Sequence, residues 1–173
     1  MANTFFTSDL HLNHTNIITY CGRPFKDADH MNEVLIQNWN NVVKAEDTVY
    51  IVGDLGFGSK QSIRKLLQRM NGMKVLILGN HDRKSMIPKE QFVCIEPIMT
   101  IRHRDYVFIV QHDPAIAASN HLNDSLYICG HLHSDPEHRM YRNWIDVGID
   151  ANNFIPISIE QVIEYFKEAN LIK

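Results

Sequence analysis

The sequence predicts an α/β fold whose sheet is parallel in the first half of the chain and partly antiparallel in the second half. The first half alternates short β-prone runs with amphipathic helical patterns, and the second half begins with two β-prone runs separated by a turn signal. The 173 residues contain no internal repeat or Pro/Gly/Ser-rich linker, and 45% of them are hydrophobic. We therefore expect residues 1–173 to form a single domain with its own core.

The first half contains three predicted strands and two predicted helices. The strands are short runs rich in β-branched and apolar residues, Thr4–Thr7, Thr48–Val52 and Lys74–Leu78. The helices have apolar side chains at spacings of three and four residues, and they cover Met31–Val43 and Ser59–Met70. This order of strand, helix, strand, helix and strand is typical of a parallel sheet with helices packed on it.

The second half contains four predicted strands and a closing helix. The strands are Pro97–Arg102, Tyr106–Gln111, Leu126–Cys129 and Trp144–Val147, and the helix covers about Ser158–Ala169. Arg104 and Asp105 separate the first two strands as a plausible hairpin turn. This half therefore predicts a mixed, partly antiparallel arrangement.

Composition argues against several classes of protein. The chain has no basic start followed by an apolar stretch and no window of about 18 apolar residues, so we expect neither a signal peptide nor a membrane span. Its three cysteines, Cys21, Cys94 and Cys129, are isolated, which indicates a cytoplasmic protein without a disulfide framework or a thiolate zinc site. A net charge of −3 argues against nucleic-acid binding through bulk positive charge.

Side chains that can bind metal follow the ends of five predicted strands. They are three Asp, one Asn and five of the ten His of the chain: Asp9, His11, Asp54, Asn80, His81, Asp82, His112, His131 and His133. Because the carboxyl ends of parallel strands meet at one edge of a sheet, we expect these side chains to share one rim. In extended chain, the side chains of residues two apart point to the same side. We therefore expect the side chains of Asp9 and His11 to point to one place, and those of His131 and His133 likewise. Glycines precede Asp54, Asn80 and His131, where the backbone is expected to turn closely around the site.

Nine such groups are more than one metal ion can use. Two adjacent divalent ions with a carboxylate between them can use them, and that arrangement suits phosphoryl chemistry. The donors are nitrogen and oxygen without thiolate, which favours Mn, Fe, Ni, Co or Zn over copper(I) or an iron–sulfur cluster.

The ordered motifs resemble those of the calcineurin-like metallophosphoesterase superfamily. They are Asp9-x-His11, Gly53-Asp54, Gly79-Asn80-His81-Asp82, His112 and Gly130-His131-x-His133, and they follow one another in the order typical of that superfamily. The tail Asp146-Val147-Gly148-Ile149-Asp150, followed by Pro156-Ile157-Ser158, is similar to that of its small, uncapped bacterial and phage members. The resemblance implies a four-layer α/β/β/α sandwich of two mixed sheets flanked by helices.

The resemblance also implies a role for each position of the motifs. Asp9, His11 and His133 would hold a first metal, Asp54 would bridge to the second, and Asn80, His112 and His131 would complete the second. His81 would act as the general acid, and Asp82 could orient it through a hydrogen bond. The implied enzyme is a phosphodiesterase or phosphatase with two divalent ions, manganese first among them, in which a metal-bridging hydroxide attacks phosphorus.

Three further residues are candidates for substrate binding. His14 follows the first motif directly and could reach substrate from the rim, although a structural role is an equal alternative. Arg23 could clamp an anion, and Arg142 could steer a phosphate-rich substrate, while each is otherwise a solvated loop arginine. The implied partner is a phosphate ester, such as a nucleotide, with no membrane and no strong nucleic-acid signal. Small relatives are frequently dimers, so a homodimer is an open expectation.

Two alternative functions share these motifs. The first is a nuclease of the same superfamily, against which stand the net charge and the lack of a basic stripe. The second is a catalytically silent interaction scaffold, against which stands the presence of every motif residue, His81 included.

Overall fold

The computed structural model describes residues 2–115, 125–134, 140–141 and 143–172. Among these residues there are ten strands, which are β1 (Thr4–Thr7), β2 (Thr48–Val52), β3 (Met73–Ile77), β4 (Cys94–Glu96), β5 (Ile98–His103), β6 (Tyr106–Gln111), β7 (Leu126–Cys129), β8 (Met140–Tyr141), β9 (Trp144–Asp146) and β10 (Ile157–Ser158). The α-helices of the same residues are α1 (Thr15–Tyr20), α2 (Ala28–Val42), α3 (Lys60–Leu67) and α4 (Ile159–Glu168).

The strands form two five-stranded mixed sheets. In the first sheet the order is β10-β1-β2-β3-β4, with β1 to β4 parallel and β10 antiparallel to β1. In the second sheet the order is β5-β6-β7-β9-β8, with β6, β7 and β9 parallel and an antiparallel strand at each edge. The predicted α/β fold of two mixed sheets flanked by helices is confirmed, as is the hairpin at Arg104 and Asp105.

The two sheets face each other across a shared apolar core. Its members come from both sheets, and they include Phe6, Val52, Ile77, Phe108, Val110 and Ile128. The opposite face of the first sheet packs on α2 and α3, which contribute Trp39 and Leu67 to a second core. This double covering explains why β1, β2 and β3 read as almost continuously apolar runs.

Short elements at the sheet edges are absent from the prediction. β4, β8 and β10 have two or three residues each, too few for a hydrophobic period to be visible in the sequence. α2 begins three residues earlier than predicted because the carboxylate of Asp27 caps it, accepting a hydrogen bond from the His30 amide at 2.8 Å. No helix among the described residues combines the length and the apolar character needed to cross a membrane.

Candidate metal centre

The predicted rim forms where β1, β2, β3, β6 and β7 end. The loops that follow β1 and β2 are bonded to each other, since the amide of Asp9 donates to the carbonyl of Gly53 at 3.1 Å and that of His11 to the carbonyl of Asp54 at 3.0 Å. These bonds fix two of the motifs side by side at the carboxyl edge of the first sheet. The second sheet adds His112 after β6 and His131 and His133 after β7.

A first cluster consists of Asp9, His11 and His133. Each residue offers one ligand atom, and these three atoms lie within 4.8 Å of one another. Asp9 and His11 are buried, with 0% and 2% of their surface exposed, while His133 is half-buried. The Nε2 atom of His133 lies 3.7 Å from Oδ1 of Asp9. The geometry is that of three donors around one point.

A second cluster consists of Asp54, Asn80, His112 and His131. Ligand atoms of Asp54, His112 and His131 lie within 4.8 Å of one another. Oδ1 of Asn80 lies 2.9 Å from Nε2 of His112 and 3.1 Å from Nδ1 of His131. The four side chains therefore also converge on one point.

Asp54 lies between the two clusters. Its Oδ2 atom is 3.5 Å from Nε2 of His11 and also 3.5 Å from Nε2 of His112. Its Oδ1 atom accepts a hydrogen bond from the amide of His81 at 3.0 Å. One carboxylate is thus shared by a histidine of each cluster, which is the arrangement that a bridging ligand requires.

The buried polar atoms of the first cluster fit a cation. In the part of the chain that the structure describes, Oδ1 of Asp9 and Nε2 of His11 are buried and have no hydrogen-bond partner. A buried polar group without a partner is costly, and a charged oxygen is the costliest case. A divalent ion among nitrogen and oxygen donors would satisfy both atoms, so the residues present fit the metal that the sequence implies.

The converging side chains are directed towards the two clusters by backbone in the left-handed conformation, not by extended backbone. Five of the converging residues have positive φ angles, Asp9 (56°), His11 (47°), Asp54 (54°), His131 (79°) and His133 (50°). The expectation that the residue pairs point together from extended chain is therefore wrong: Asp9 and His11 do meet in the first cluster, but His131 and His133 belong to different clusters. Backbone of this kind is strained for residues other than glycine and is often found at functional sites.

Glycines make room for the converging loops, as expected. A Cβ atom on Gly53, whose φ is 89°, would collide with the His112 ring, and a Cβ atom on Gly130 would collide with Ser8. Both positions bring backbone directly against the site, so any side chain there would push the two sheets' loops apart.

Burial and neighbouring charges shift the pKa values of residues in both clusters. Burial lowers the pKa of His11 to about 3, so its ring is neutral at neutral pH. Burial would also lower the pKa of His112, but the carboxylates of Asp54 and Asp9 raise it to about 9. For Asp54, burial acts to raise the pKa, but His112 and the amide of His81 lower it to about 2. Burial raises the pKa of Asp9 to about 6. An ion entering the second cluster must therefore displace a proton from His112.

His81 lies at the surface beside the clusters. Its ring is exposed, and the ring centre is 5.8 Å from that of His11 and 5.9 Å from that of Phe57. An exposed imidazole therefore lies next to the convergence point, and its role as general acid stays a prediction.

Asp82 has a different task from the predicted one. Its Oδ2 atom accepts from the amides of Gly79 (2.8 Å) and Asp54 (3.0 Å), and Oδ1 accepts from the amide of Leu55 at 2.9 Å. The carboxylate therefore holds the loops after β2 and β3 together. The expectation that Asp82 orients His81 is corrected, because both oxygens of the Asp82 carboxylate accept hydrogen bonds from backbone amides.

His14 lies against the first cluster. Its ring stacks on Phe57 with centres 4.1 Å apart, and its Nδ1 atom lies 3.3 Å from Nδ1 of His11. Burial and the nearby His81 lower the pKa of His14. The structure thus places His14 at the rim, in contact with a candidate metal ligand.

Arg23 is not a surface clamp for an anion. Its side chain is 0% exposed and makes a two-pronged ion pair with Asp150, at 2.8 Å from Nε and 2.7 Å from Nη2. The prediction that Arg23 binds substrate is corrected, because its donors are occupied inside the protein. Arg142 lies outside the described residues.

Sequence reasoning missed two acidic residues that support the site. Asp150 lies 2.7 Å from Nδ1 of His133, and buried Asp146 accepts from the amide of Ser134 at 3.1 Å. The tail motif contains both residues, but a spacing alone does not reveal which loop they contact. Phe57, the ring beneath His14, carries no signal beyond its place in the turn before α3.

The chain is similar to one protein by sequence and to others by structure. No protein-family model matches the chain. The uncharacterized protein MJ1445 of Methanocaldococcus jannaschii is 34% identical over 181 residues, which cover 100% of this chain and 96% of the relative. The crystal structure of AQ665 from Aquifex aeolicus, a protein of unknown function, matches 95% of this chain and 100% of its own, with a TM-score of 0.78 and 26% identity.

A third relative has a described activity. The structure of a novel archaeal phosphodiesterase matches 84% of this chain and 82% of its own, with a TM-score of 0.50 and 18% identity, a likeness of fold. The 34% identity over the full chain places this chain in one family with MJ1445, and the solved structures show that its two-sheet fold is shared.

Proposed function

We propose that the chain is a metal-dependent phosphoric ester hydrolase that holds two divalent ions, one in each cluster. The observation that carries this proposal is the position of Asp54, whose Oδ2 atom is equidistant from a histidine of each cluster. Bound divalent ions would supply a nucleophile from water near neutral pH and neutralise charge on the phosphoryl oxygens. Manganese is our first choice, with Fe, Ni, Co or Zn as alternatives, since supply partly decides which first-row ion occupies such a site.

The protein's own residues would bind and orient the ester. The two clusters fix the ions through imidazole and carboxylate donors, and Asp54 keeps the ions adjacent. His81 would donate a proton from its ring to the leaving oxygen as the ester bond breaks. His14, stacked on Phe57 and adjacent to His11, would also contact the bound ester.

We favour phosphodiesters over phosphomonoesters as substrates. The rim is formed by short loops, and the exposed His81 ring indicates an open site with room for a second ester group. In this proposal the 173 residues act as one metallophosphoesterase domain, because both sheets and their shared core contribute to the same rim.

The test is hydrolysis by the purified, metal-free protein supplied with Mn²⁺. We expect cleavage of bis-p-nitrophenyl phosphate to exceed that of p-nitrophenyl phosphate, and both to stop when EDTA removes the ion. Cleavage of neither ester with any of the five metals would contradict the proposal. Degradation of DNA at low salt without cleavage of small esters would favour the nuclease alternative.

The role of His81 has its own test. We expect His81→Ala to lower kcat by about 100-fold or more for a diester with an alkyl leaving group, which needs a proton. For a p-nitrophenyl diester, whose leaving group needs little protonation, the loss should be much smaller. Equal losses for both leaving groups would show that His81 binds the ester without donating a proton.

A further inference from the structure

The ion pair of Arg23 and Asp150 contacts two members of the first cluster, His133 and Asp9, and the residue that precedes the third. The carboxylate of Asp150 accepts a hydrogen bond from Nδ1 of His133 at 2.7 Å. Arg23 donates from Nη2 to the carbonyl of Asp9 at 2.8 Å and from Nη1 to the carbonyl of Leu10 at 3.2 Å. Leu10 lies between Asp9 and His11, so the guanidinium holds the loop that presents both of these ligands.

Asp150 fixes which nitrogen of His133 faces the cluster. A proton on Nδ1 is needed for the 2.7 Å hydrogen bond to the carboxylate, and in the neutral ring that binds a metal this leaves the lone pair on Nε2. Nε2 is the atom that lies 3.7 Å from Oδ1 of Asp9, inside the first cluster. A carboxylate behind a histidine generally orients the ring and makes it a better metal ligand.

Asp150 itself is a poor candidate for a metal ligand. Cys21, His133 and Asp150 also offer atoms within 4.8 Å of one another. Both oxygens of Asp150, however, already contact the Arg23 guanidinium, at 2.8 and 2.7 Å, and that fixed positive charge repels a cation. The same contacts with Arg23 hold the carboxylate of Asp150 in the orientation that brings it against His133.

We infer that Arg23 and Asp150 are positioning residues that set the metal affinity of the first cluster without contacting substrate. This inference rests on the proposed function and deepens it. It predicts a selective effect, because the second cluster has no contact with this pair among the described residues. Loss of the pair should weaken one ion by about 10- to 100-fold and leave the other unchanged.

The experiment compares Mn²⁺ binding by wild type, Asp150→Asn and Arg23→Lys, starting from metal-free protein. Lysine keeps the charge but cannot bond two carboxylate oxygens and two carbonyls at once. The matched controls are Glu33→Gln and Arg69→Lys, since Arg69 makes an equally two-pronged but exposed pair with Glu33, at 2.6 and 2.5 Å. Calorimetry gives the affinities, and electron paramagnetic resonance distinguishes a coupled Mn²⁺ pair from a single ion.

We expect two ions and a coupled signal in wild type and in both controls. In Asp150→Asn and Arg23→Lys we expect one ion of wild-type affinity, one weakened ion and a single-ion signal at limiting Mn²⁺. Two ions of unchanged affinity in both variants, or equal weakening of both ions, overturns the inference while leaving the proposed function standing. A wild type that binds no ion overturns the proposed function and this inference together.

A measurement on wild type guards against variants that do not fold, because removal of one partner of a buried ion pair is strongly destabilising. Nitrogen-15 spectra of the Zn²⁺-loaded protein report which ring nitrogen carries the proton. We expect the proton of His133 on Nδ1. A proton on Nε2 overturns the inference without any substitution.

Discussion

The first and second clusters are held in place by different means. The first cluster depends on charged side chains, since the ion pair of Arg23 and Asp150 orients His133 and holds the loop of Asp9. The second depends on contacts with the backbone. The carboxylate of Asp82 accepts hydrogen bonds from three backbone amides of the loops after β2 and β3, and Nδ1 of His112 lies 2.8 Å from the carbonyl of Val52. The two halves of the candidate centre thus rely mainly on different supports, although the amide of His131 also donates to Oδ2 of Asp9 at 2.9 Å.

Asp54 is the exception, because it belongs to both halves. We expect Asp54→Asn to have the largest effect on activity, since an amide cannot bridge two cations. The loss in kcat/KM should exceed the ~100-fold that marks the upper range for residues behind a ligand. Steady-state hydrolysis and Mn²⁺ binding measure it, with Asp105→Asn in the exposed β5–β6 turn as the control. Retention of two tight ions by Asp54→Asn would show that the halves are not joined there.

Asp82→Asn tests the backbone-held half. An asparagine keeps one acceptor oxygen and turns an NH2 group towards an amide donor, so the loops lose hydrogen bonds to a charged group. We expect the free energy of unfolding to fall by about 3 kcal/mol, measured by urea denaturation. The ion of the second cluster should lose more affinity than the ion of the first, the reverse of the order expected for Asp150→Asn.

The control for Asp82→Asn is Asp27→Asn, in which asparagine caps α2 as well as aspartate does. It should leave both stability and metal binding unchanged. If Asp82→Asn instead weakened the first ion more than the second, the assignment of separate supports would be wrong.

Asp9→Asn should change stability by no more than Asp82→Asn does, and with the opposite sign. The folded-state pKa of Asp9, about 6, is above its ordinary value of 3.8, so the metal-free folded protein binds this proton more tightly than the unfolded chain does. Stability of the metal-free protein therefore falls as pH rises from about 4 to about 6, by up to about 3 kcal/mol. Asparagine removes this penalty, so the variant should be more stable than wild type in EDTA at pH 7.

Thermal unfolding in EDTA across pH 4 to 7 measures the effect of Asp9→Asn. Added Mn²⁺ should reverse the order, because wild type gains a ligand that the variant lacks. A variant that is less stable than wild type in EDTA at pH 7 would mean that the buried carboxylate is already compensated within the protein.

Much of this centre could be predicted from the sequence, because strand ends are visible in apolar runs and the motif residues follow them directly. Arg23 shows where such prediction fails. A buried arginine and a solvated one look alike in sequence, and its partner Asp150 lies 127 residues away. The prediction for Asp82 fails for a related reason, since the backbone amides that donate to its carboxylate come from two different loops. The left-handed backbone at Asp9 and His11 carries no signal, as these residue types are also common in ordinary turns.

The most direct test of the two-cluster centre is anomalous diffraction at the manganese edge from Mn²⁺-loaded crystals. The account predicts two peaks about 3.5–4 Å apart, one on either side of the Asp54 carboxylate, the usual spacing of a two-metal site. A single peak, or a peak among Cys21, His133 and Asp150, would contradict it.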